Sequence, residues 1–221
     1  RTMSLSKNKF LSFIHPEGWK FALIALCISV LFFFIWLPLA ALGCLITLFI
    51  IWFFRDPERV TPSIPGTIYS PADGVICLID ESLPPLESGL EPVMMKRVCV
   101  FMNVFNVHVN RSPIAGKVTK IAYTKGSFLN ASLDKASEKN ERNALVIQTK
   151  DNVEIVVVQI AGLIARRILS FIKDGHTLSA GERFGLIRFG SRVDIYFPIN
   201  TQIDCSLNQK VVAGESVLAS L

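Results

Sequence analysis

Phe184-Gly185-Leu186-Ile187-Arg188-Phe189-Gly190-Ser191-Arg192-Val193-Asp194-Ile195-Tyr196-Phe197 is the stretch that decides how this chain reads. Two apolar runs, residues 184–189 and 193–197, flank the pair Gly190-Ser191. Both have the length and composition of strands, so the pair marks a tight connection or bulge between them. Glycine there permits backbone angles that other residues avoid. Serine there sets a hydroxyl beside a peptide carbonyl. The arrangement permits the Ser191 hydroxyl to attack the Gly190 carbonyl, turning amide into ester. Elimination from the ester leaves a dehydroalanine, and its hydrolysis leaves a pyruvoyl group at the head of the new chain. A Gly-Ser pair is also an ordinary turn, and Gly126-Ser127 is a second one, so the dipeptide alone decides nothing.

Outward from this stretch, short apolar runs alternate with turn residues. Residues 75–79, 97–102, 117–123, 144–149 and 153–160 read as strands. Lys150-Asp151-Asn152 joins the last two as a hairpin, and residues 80–92 and 125–143 read as polar loops. Ile164, Ile168, Phe171 and Ile172 recur at helical spacing, which predicts one short helix within residues 162–173. Leu178-Ser179-Ala180-Gly181-Glu182 is echoed by Val211-Val212-Ala213-Gly214-Glu215, two turns like those of lipoyl-type β-sandwiches. The expected fold is mostly β (α+β): residues 61–221 form a β-sandwich or barrel-like soluble domain with lipoyl-type hairpins.

Residues 1–60 differ in kind. Residues 21–54 carry no charge over 34 positions. One straight helix of that length would run about 51 Å, against a hydrocarbon core of about 30 Å. Pro38 divides the run into two halves of roughly 25 Å, so a membrane-anchoring helical hairpin is expected, spanning or re-entrant. Trp19, Trp36 and Trp52 fall near the ends of the halves, as an aromatic belt would place them. Lys7, Lys9, Lys20, Arg55 and Arg59 flank the run, which predicts flanks and soluble domain on the cytoplasmic side of the cell membrane. Residues 1–60 hold six Lys/Arg against three Asp/Glu, so the basic excess lies beside the membrane and suits anionic lipid rather than nucleic acid. Five scattered cysteines without a C-x-x-C read as reduced thiols, and His15, His108 and His176 lack metal-ligand spacing.

Asp73, His108 and Ser191 could form a proton relay. A serine hydroxyl needs a base to take its proton, histidine is the usual one, and a carboxylate fixes the imidazole tautomer. Each has an ordinary alternative: a turn aspartate before Gly74, a surface strand histidine and a turn serine. A Ser-His-Asp hydrolase would use the same three groups, although no Gly-x-Ser-x-Gly elbow surrounds Ser191. A non-enzymatic, membrane-anchored β-sandwich adaptor is the third reading.

Five segments taken together resemble the short bacterial branch of the phosphatidylserine decarboxylases. They are Phe54-Arg55-Asp56-Pro57, Ser70-Pro71-Ala72-Asp73-Gly74, Phe105-Asn106-Val107-His108-Val109-Asn110-Arg111, Gln159-Ile160-Ala161-Gly162-Leu163-Ile164-Ala165-Arg166-Arg167 and Arg188-Phe189-Gly190-Ser191-Arg192. The resemblance implies a proenzyme that cleaves itself between Gly190 and Ser191 and makes phosphatidylethanolamine from phosphatidylserine. Its cofactor would be a pyruvoyl group derived from Ser191, with no metal and no pyridoxal phosphate. Both chains would stay associated, and a homo-oligomer is left open. Asp73 and His108 match the relay segments. The better-known branch has Leu-Gly-Ser-Thr at the cleavage site, and a second histidine where Arg111 stands here. His108 is therefore expected to serve both in maturation and in turnover. Arg111, Arg166 and Arg167 are candidates for the lipid phosphate, with a plain surface charge as the equal alternative for each.

Overall fold

The computed structural model describes residues 13–126, 140–162, 167–188 and 191–221. The chain divides into two compact units, Arg1–Glu58 and Arg59–Leu221.

The first unit is a pair of apolar helices, α1 (Pro16–Phe33) and α2 (Leu37–Phe53). The break falls at residues 34–36, just before Pro38. That proline sits in the first turn of α2, where its missing N–H is not needed. The buried positions Ala22, Ser29, Ala40 and Thr47 are small, whereas Leu23, Ile24, Leu31, Leu45 and Leu48 are exposed. Ser29 and Thr47 return their hydroxyls to carbonyls one turn back, at 2.7 and 2.9 Å. That pattern suits a helix pair in lipid, where close packing of small residues replaces the hydrophobic drive. The ends are tied: the His15 N–H donates to the Phe54 carbonyl at 2.8 Å and the Asp56 N–H to Phe13 at 2.7 Å. Among the described residues, α1 alone is long and apolar enough to cross a membrane, and α2 is one residue shorter.

The second unit is built from fourteen described strands. The large sheet has the order β13-β2-β3-β11-β7-β6-β5-β9. Its members are β2 (Gly74–Ser82), β3 (Met95–Met102), β5 (Gly116–Thr124), β6 (Arg142–Gln148), β7 (Glu154–Ala161), β9 (Thr177–Leu178), β11 (Ser191–Pro198) and β13 (Lys210–Val211). One small sheet joins β1 (Thr67–Tyr69), β14 (Val217–Ser220) and β12 (Gln202–Ile203). The other joins β4 (Val109–Arg111), β10 (Arg183–Ile187) and β8 (Ile168–Ser170). The architecture is mostly β with an apolar helical N-terminus, as expected from the residue pattern. Val98, Val100, Leu145, Ile147, Val157, Val193, Ile195 and Phe197 fill the main core on the inner face of the large sheet. Ala144, Val146, Val156, Val158, Ile160 and Tyr196 form a second layer on its outer face.

Three details differ from the sequence reading. The expected helix at residues 162–173 is replaced, over its described part, by strand β8, which pairs with β10. Ile168 and Ile172 are buried, and a four-residue spacing suits a strand face as well as a helix face; β10 offered an edge to pair with. Strand β2 runs on to Ser82 because Asp80 lies across from Arg97, whose guanidinium grips it at 2.8 and 2.6 Å. The two apolar runs around Gly190-Ser191 are not paired with each other: β10 belongs to a small sheet and β11 to the large one. The expected loop at residues 125–143 lies mostly outside the described residues.

The two Ala-Gly-Glu turns meet in space. Gly181 and Gly214 have φ of 76° and 74°, a region that favours glycine. A Cβ on Gly214 would lie 3.3 Å from the Gly181 Cα, so the turns pack backbone to backbone.

Candidate active site

Strand β11 is central, with β3 on one side and β7 on the other over most of its length. Side chains alternate along it. Val193, Ile195 and Phe197 enter the main core, so Ser191 faces inward with them, while Arg192, Asp194 and Tyr196 face outward. Ser191 is the first residue of the strand and is paired with Met102 and Ala161. It is 0% exposed, and among the described residues its hydroxyl has no hydrogen-bond partner. Buried hydroxyls are almost always satisfied, and leaving one unsatisfied costs about 1–3 kcal/mol. An unsatisfied one keeps its proton and lone pairs available for chemistry. The partner residue of the expected cleavage, Gly190, lies outside the described residues.

His108 is buried at 1% exposure, not a surface histidine. Its Nδ1 lies 2.9 Å from the Asn106 carbonyl. A carbonyl only accepts, so Nδ1 carries the hydrogen of this contact, and Nε2 is the basic nitrogen of the neutral ring. The loop that makes this contact is held by its own asparagines: Asn103 N–H donates to Asn106 Oδ1 at 2.9 Å, and Phe105 N–H to Asn103 Oδ1 at 2.8 Å. The His108 carbonyl accepts the Ile187 N–H at 3.2 Å. Ser191 is four residues further on, at most about 14 Å of chain.

His108 directly precedes β4, and its carbonyl bond to the Ile187 N–H continues the pairing of Val109 with Leu186, which places it on the side of Asn110. The Asn110 amide lies against Met102 Sδ at 3.7 Å, and Met102 stands opposite Ser191. The face carrying His108 therefore looks onto the inner face that carries Ser191.

Asp73 is held elsewhere. Its Oδ2 accepts from Arg59 Nη2 at 2.8 Å, and its Oδ1 from the Ala213 N–H at 2.8 Å. The sequence suggested Asp73 as the group that fixes the His108 tautomer; the contact seen at His108 Nδ1 is the Asn106 carbonyl. Asp73 directly precedes β2, and β3 lies between β2 and β11, so two strand spacings, about 10 Å, separate its strand from that of Ser191. Arg111 is buried, and its Nη1 donates to the Gly181 carbonyl at 3.0 Å, on the side of β4 away from His108. Arg167 is exposed, and its carbonyl accepts the Arg188 N–H at 3.3 Å, close before Ser191. Arg166 lies outside the described residues.

Several participants escaped sequence reading. Arg59 reads from sequence only as a membrane-flanking charge. Asn110, Asn143 and Gln159 are buried amides joined in a line, and the available signal was a lone polar residue inside an apolar run. On the outer face, Arg192 and Asp194 form a bidentate pair at 2.7 and 2.9 Å, with both residues buried. Burial, reinforced by the Asp194 carboxylate, pushes the adjacent Cys99 thiol well above its usual range, which keeps it a thiol.

The family model for phosphatidylserine decarboxylase matches residues 46–219. A phosphatidylserine decarboxylase proenzyme of Ruegeria pomeroyi is 54% identical over 215 residues, covering 97% of this chain and 98% of that protein. A proenzyme of the same name from Cereibacter sphaeroides is 54% identical over 214 residues, covering 97% and 92%. One from Nitrobacter winogradskyi is 52% identical over 219 residues, covering 99% and 89%.

Proposed function

This chain belongs to the phosphatidylserine decarboxylase family, and on that premise we propose that it cuts itself between Gly190 and Ser191 and then converts phosphatidylserine to phosphatidylethanolamine. The chain is a carboxy-lyase by that membership. The observation that carries the maturation reading is the buried Ser191 hydroxyl, without a hydrogen-bond partner among the described residues, at the head of a central strand. In maturation, Ser191 Oγ bonds to the Gly190 carbonyl carbon as the peptide C–N bond breaks. His108 Nε2 takes the hydroxyl proton and passes it to the departing nitrogen, which becomes the amine of residue 191. Loss of the α-proton of residue 191 and cleavage of the ester C–O bond release Gly190 as a carboxylate. Hydrolysis of the resulting enamine releases ammonia and leaves a keto group.

Position 191 fits such a group: it is fully buried, faces inward and is flanked by Met102 and Ala161. The pyruvoyl group supplies an electron sink for the charge released when carbon dioxide departs. His108, inside the same dry face, then delivers a proton to the decarboxylated carbon. Arg167 is our choice for the lipid phosphate, because the Arg111 guanidinium is engaged on the far side of β4. Both pieces stay together, because β11 is laddered between β3 and β7, β13 on β2 and β14 on β1. The α1–α2 pair holds the enzyme at the membrane, and its basic flanks favour residues 61–221 facing the cytoplasm.

Intact-mass measurement tests the maturation reading. Two chains, 1–190 and 191–221, are expected, the smaller carrying a blocked keto terminus, and Ser191→Ala should remain one chain. Active enzyme as a single unblocked polypeptide would refute it. Protease added to inverted vesicles should remove the soluble domain, and added to intact cells should spare it; the reverse pattern overturns the orientation.

A further inference from the structure

Three side-chain amides run in line between the two sheets that carry His108 and Ser191. Asn143 Nδ2 on β6 donates to Gln159 Oε1 on β7 at 3.0 Å. Gln159 Nε2 donates to Asn110 Oδ1 on β4 at 2.8 Å. The Asn110 NH2 ends the line on two weak acceptors, the Pro71 carbonyl at 3.5 Å and Met102 Sδ at 3.7 Å. The Pro71 carbonyl already accepts the Arg111 N–H at 2.9 Å. All three amides are buried, Gln159 and Asn110 at 0% exposure.

Apolar contacts would hold two sheets together without fixing how far one slides over the other. Amide hydrogen bonds are directional, and losing either partner leaves a buried polar group unsatisfied. The line therefore fixes β4 over β7 in position as well as in contact. Two residues before Asn110, on its face, stands His108. Two residues after Gln159, on its face, stands Ala161, the Cα partner of Ser191. His108 thus lies one pleat repeat, about 7 Å of chain, from Asn110, and Ala161 the same distance from Gln159, with Ser191 one strand spacing, about 5 Å, further across. The fold leaves room for this crossing at Gly185, the partner of Asn110 in β10. A Cβ there would lie 2.8 Å from Gln159 Nε2 and 3.2 Å from its Oε1.

The geometry points to Gln159 as a positioning residue that, through Asn110, seats the His108 imidazole over Ser191. This rests on the reading of His108 as the base for Ser191. Gln159 touches neither the hydroxyl nor the substrate in this account; it acts through the strand it holds.

Gln159→Glu separates positioning from mere filling of space. A protonated carboxyl can accept from Asn143 and donate to Asn110, reproducing both bonds. An ionised one presents two acceptors, and the bond to Asn110 Oδ1 is lost. Burial raises the pKa of the introduced carboxyl, bringing the change into the range of about pH 5–8. The full-length precursor, made in detergent micelles, is followed by intact mass, and its maturation rate is divided by that of the parent at each pH. The ratio should stay near one at the acid end and fall by about ten- to hundredfold at the alkaline end, within the roughly 10²–10⁴-fold that a general base supplies. Gln159→Leu should be slow at every pH; if it does not fold, the acid-end rate of Gln159→Glu serves as the folded control.

A second readout needs no cleavage. In full-length Ser191→Ala, nitrogen NMR of the His108 ring should report one tautomer, protonated at Nδ1, and Gln159→Glu in that background should mix the tautomers as pH rises. A pH-independent ratio for Gln159→Glu, or parental maturation in Gln159→Leu, overturns the inference while leaving the His108 reading intact. Parental maturation in His108→Ala overturns that reading and this inference with it.

Discussion

The buried ion pair behind the reaction centre gives the sharpest quantitative test of how β11 is held. Arg192 is 1% exposed and Asp194 0%, and the guanidinium grips the carboxylate with two bonds of 2.7 and 2.9 Å. Replacing Asp194 alone by leucine leaves a buried cation without its carboxylate, which costs about 3–5 kcal/mol. Replacing both, as Arg192→Met with Asp194→Leu, removes two desolvation penalties with the attraction. Such exchanges are often neutral or stabilising by about 1–4 kcal/mol. The double variant should therefore unfold at a higher denaturant concentration than Asp194→Leu, a strong positive coupling between the sites. The assay is urea denaturation of full-length Ser191→Ala, kept as one chain, in detergent. All three tryptophans lie in residues 1–58 and all three tyrosines in residues 59–221, so near-ultraviolet dichroism of tyrosine reports the β unit. Because Arg192 and Ser191 face opposite sides of the sheet, the double variant with Ser191 restored should still mature. A loss below about 1 kcal/mol for Asp194→Leu would refute the single-variant estimate, since breaking a buried pair is strongly destabilising. A double variant as unstable as the single would refute the pair as the cause.

Three other outcomes follow from the contacts. His108→Ala should slow maturation by about 10²–10⁴-fold, whereas His176→Ala should process normally, because His176 is exposed and meets Glu182 at 3.3 Å; gel separation of the two chains over time checks both. Asp73→Asn and Arg59→Gln each break a charged contact of 2.8 Å between largely buried side chains, and should lower the urea midpoint. If Asp73 also acts in the relay, only Asp73→Asn will stall maturation under conditions where both variants are folded. Burial opposes ionisation of Glu87, but the hydrogen bond from Arg142, a backbone hydrogen bond and the Arg142 charge together outweigh it and hold the carboxyl below its ordinary value. Its stabilising contribution is present above the unfolded-state value, about pH 4.3, and is lost as pH falls through the lower folded value. Arg142→Gln should therefore flatten the acid limb of stability against pH, measured by denaturant midpoints from about pH 3 to 6.

Much of this protein could be read from residues alone, and the reason is locality. Thirty-four uncharged positions can be hidden from water only in lipid or a large core, so residues 21–54 declared the helix pair without any tertiary knowledge. Strands such as Met95–Met102 and Glu154–Ala161 followed from apolar runs bounded by turn residues, because that pattern satisfies a sheet within a few positions. The linear motifs likewise singled out Ser191 and His108, both of which are buried, as candidates for the proposed chemistry. Partners did not follow. The Asn106 carbonyl on His108, Arg59 on Asp73 and the amide line Asn143–Gln159–Asn110 arise from strand pairing and loop closure, and the last spans 49 residues between Asn110 and Gln159. The short helix expected near Ile168 became a strand for the same reason: its apolar spacing fits either state, and the nearby edge of β10 supplied the hydrogen bonds that decided it. Local composition determined which segments must be buried and extended; only the tertiary pairing decided what each buried polar atom meets, because that depends on neighbours the chain brings from far away.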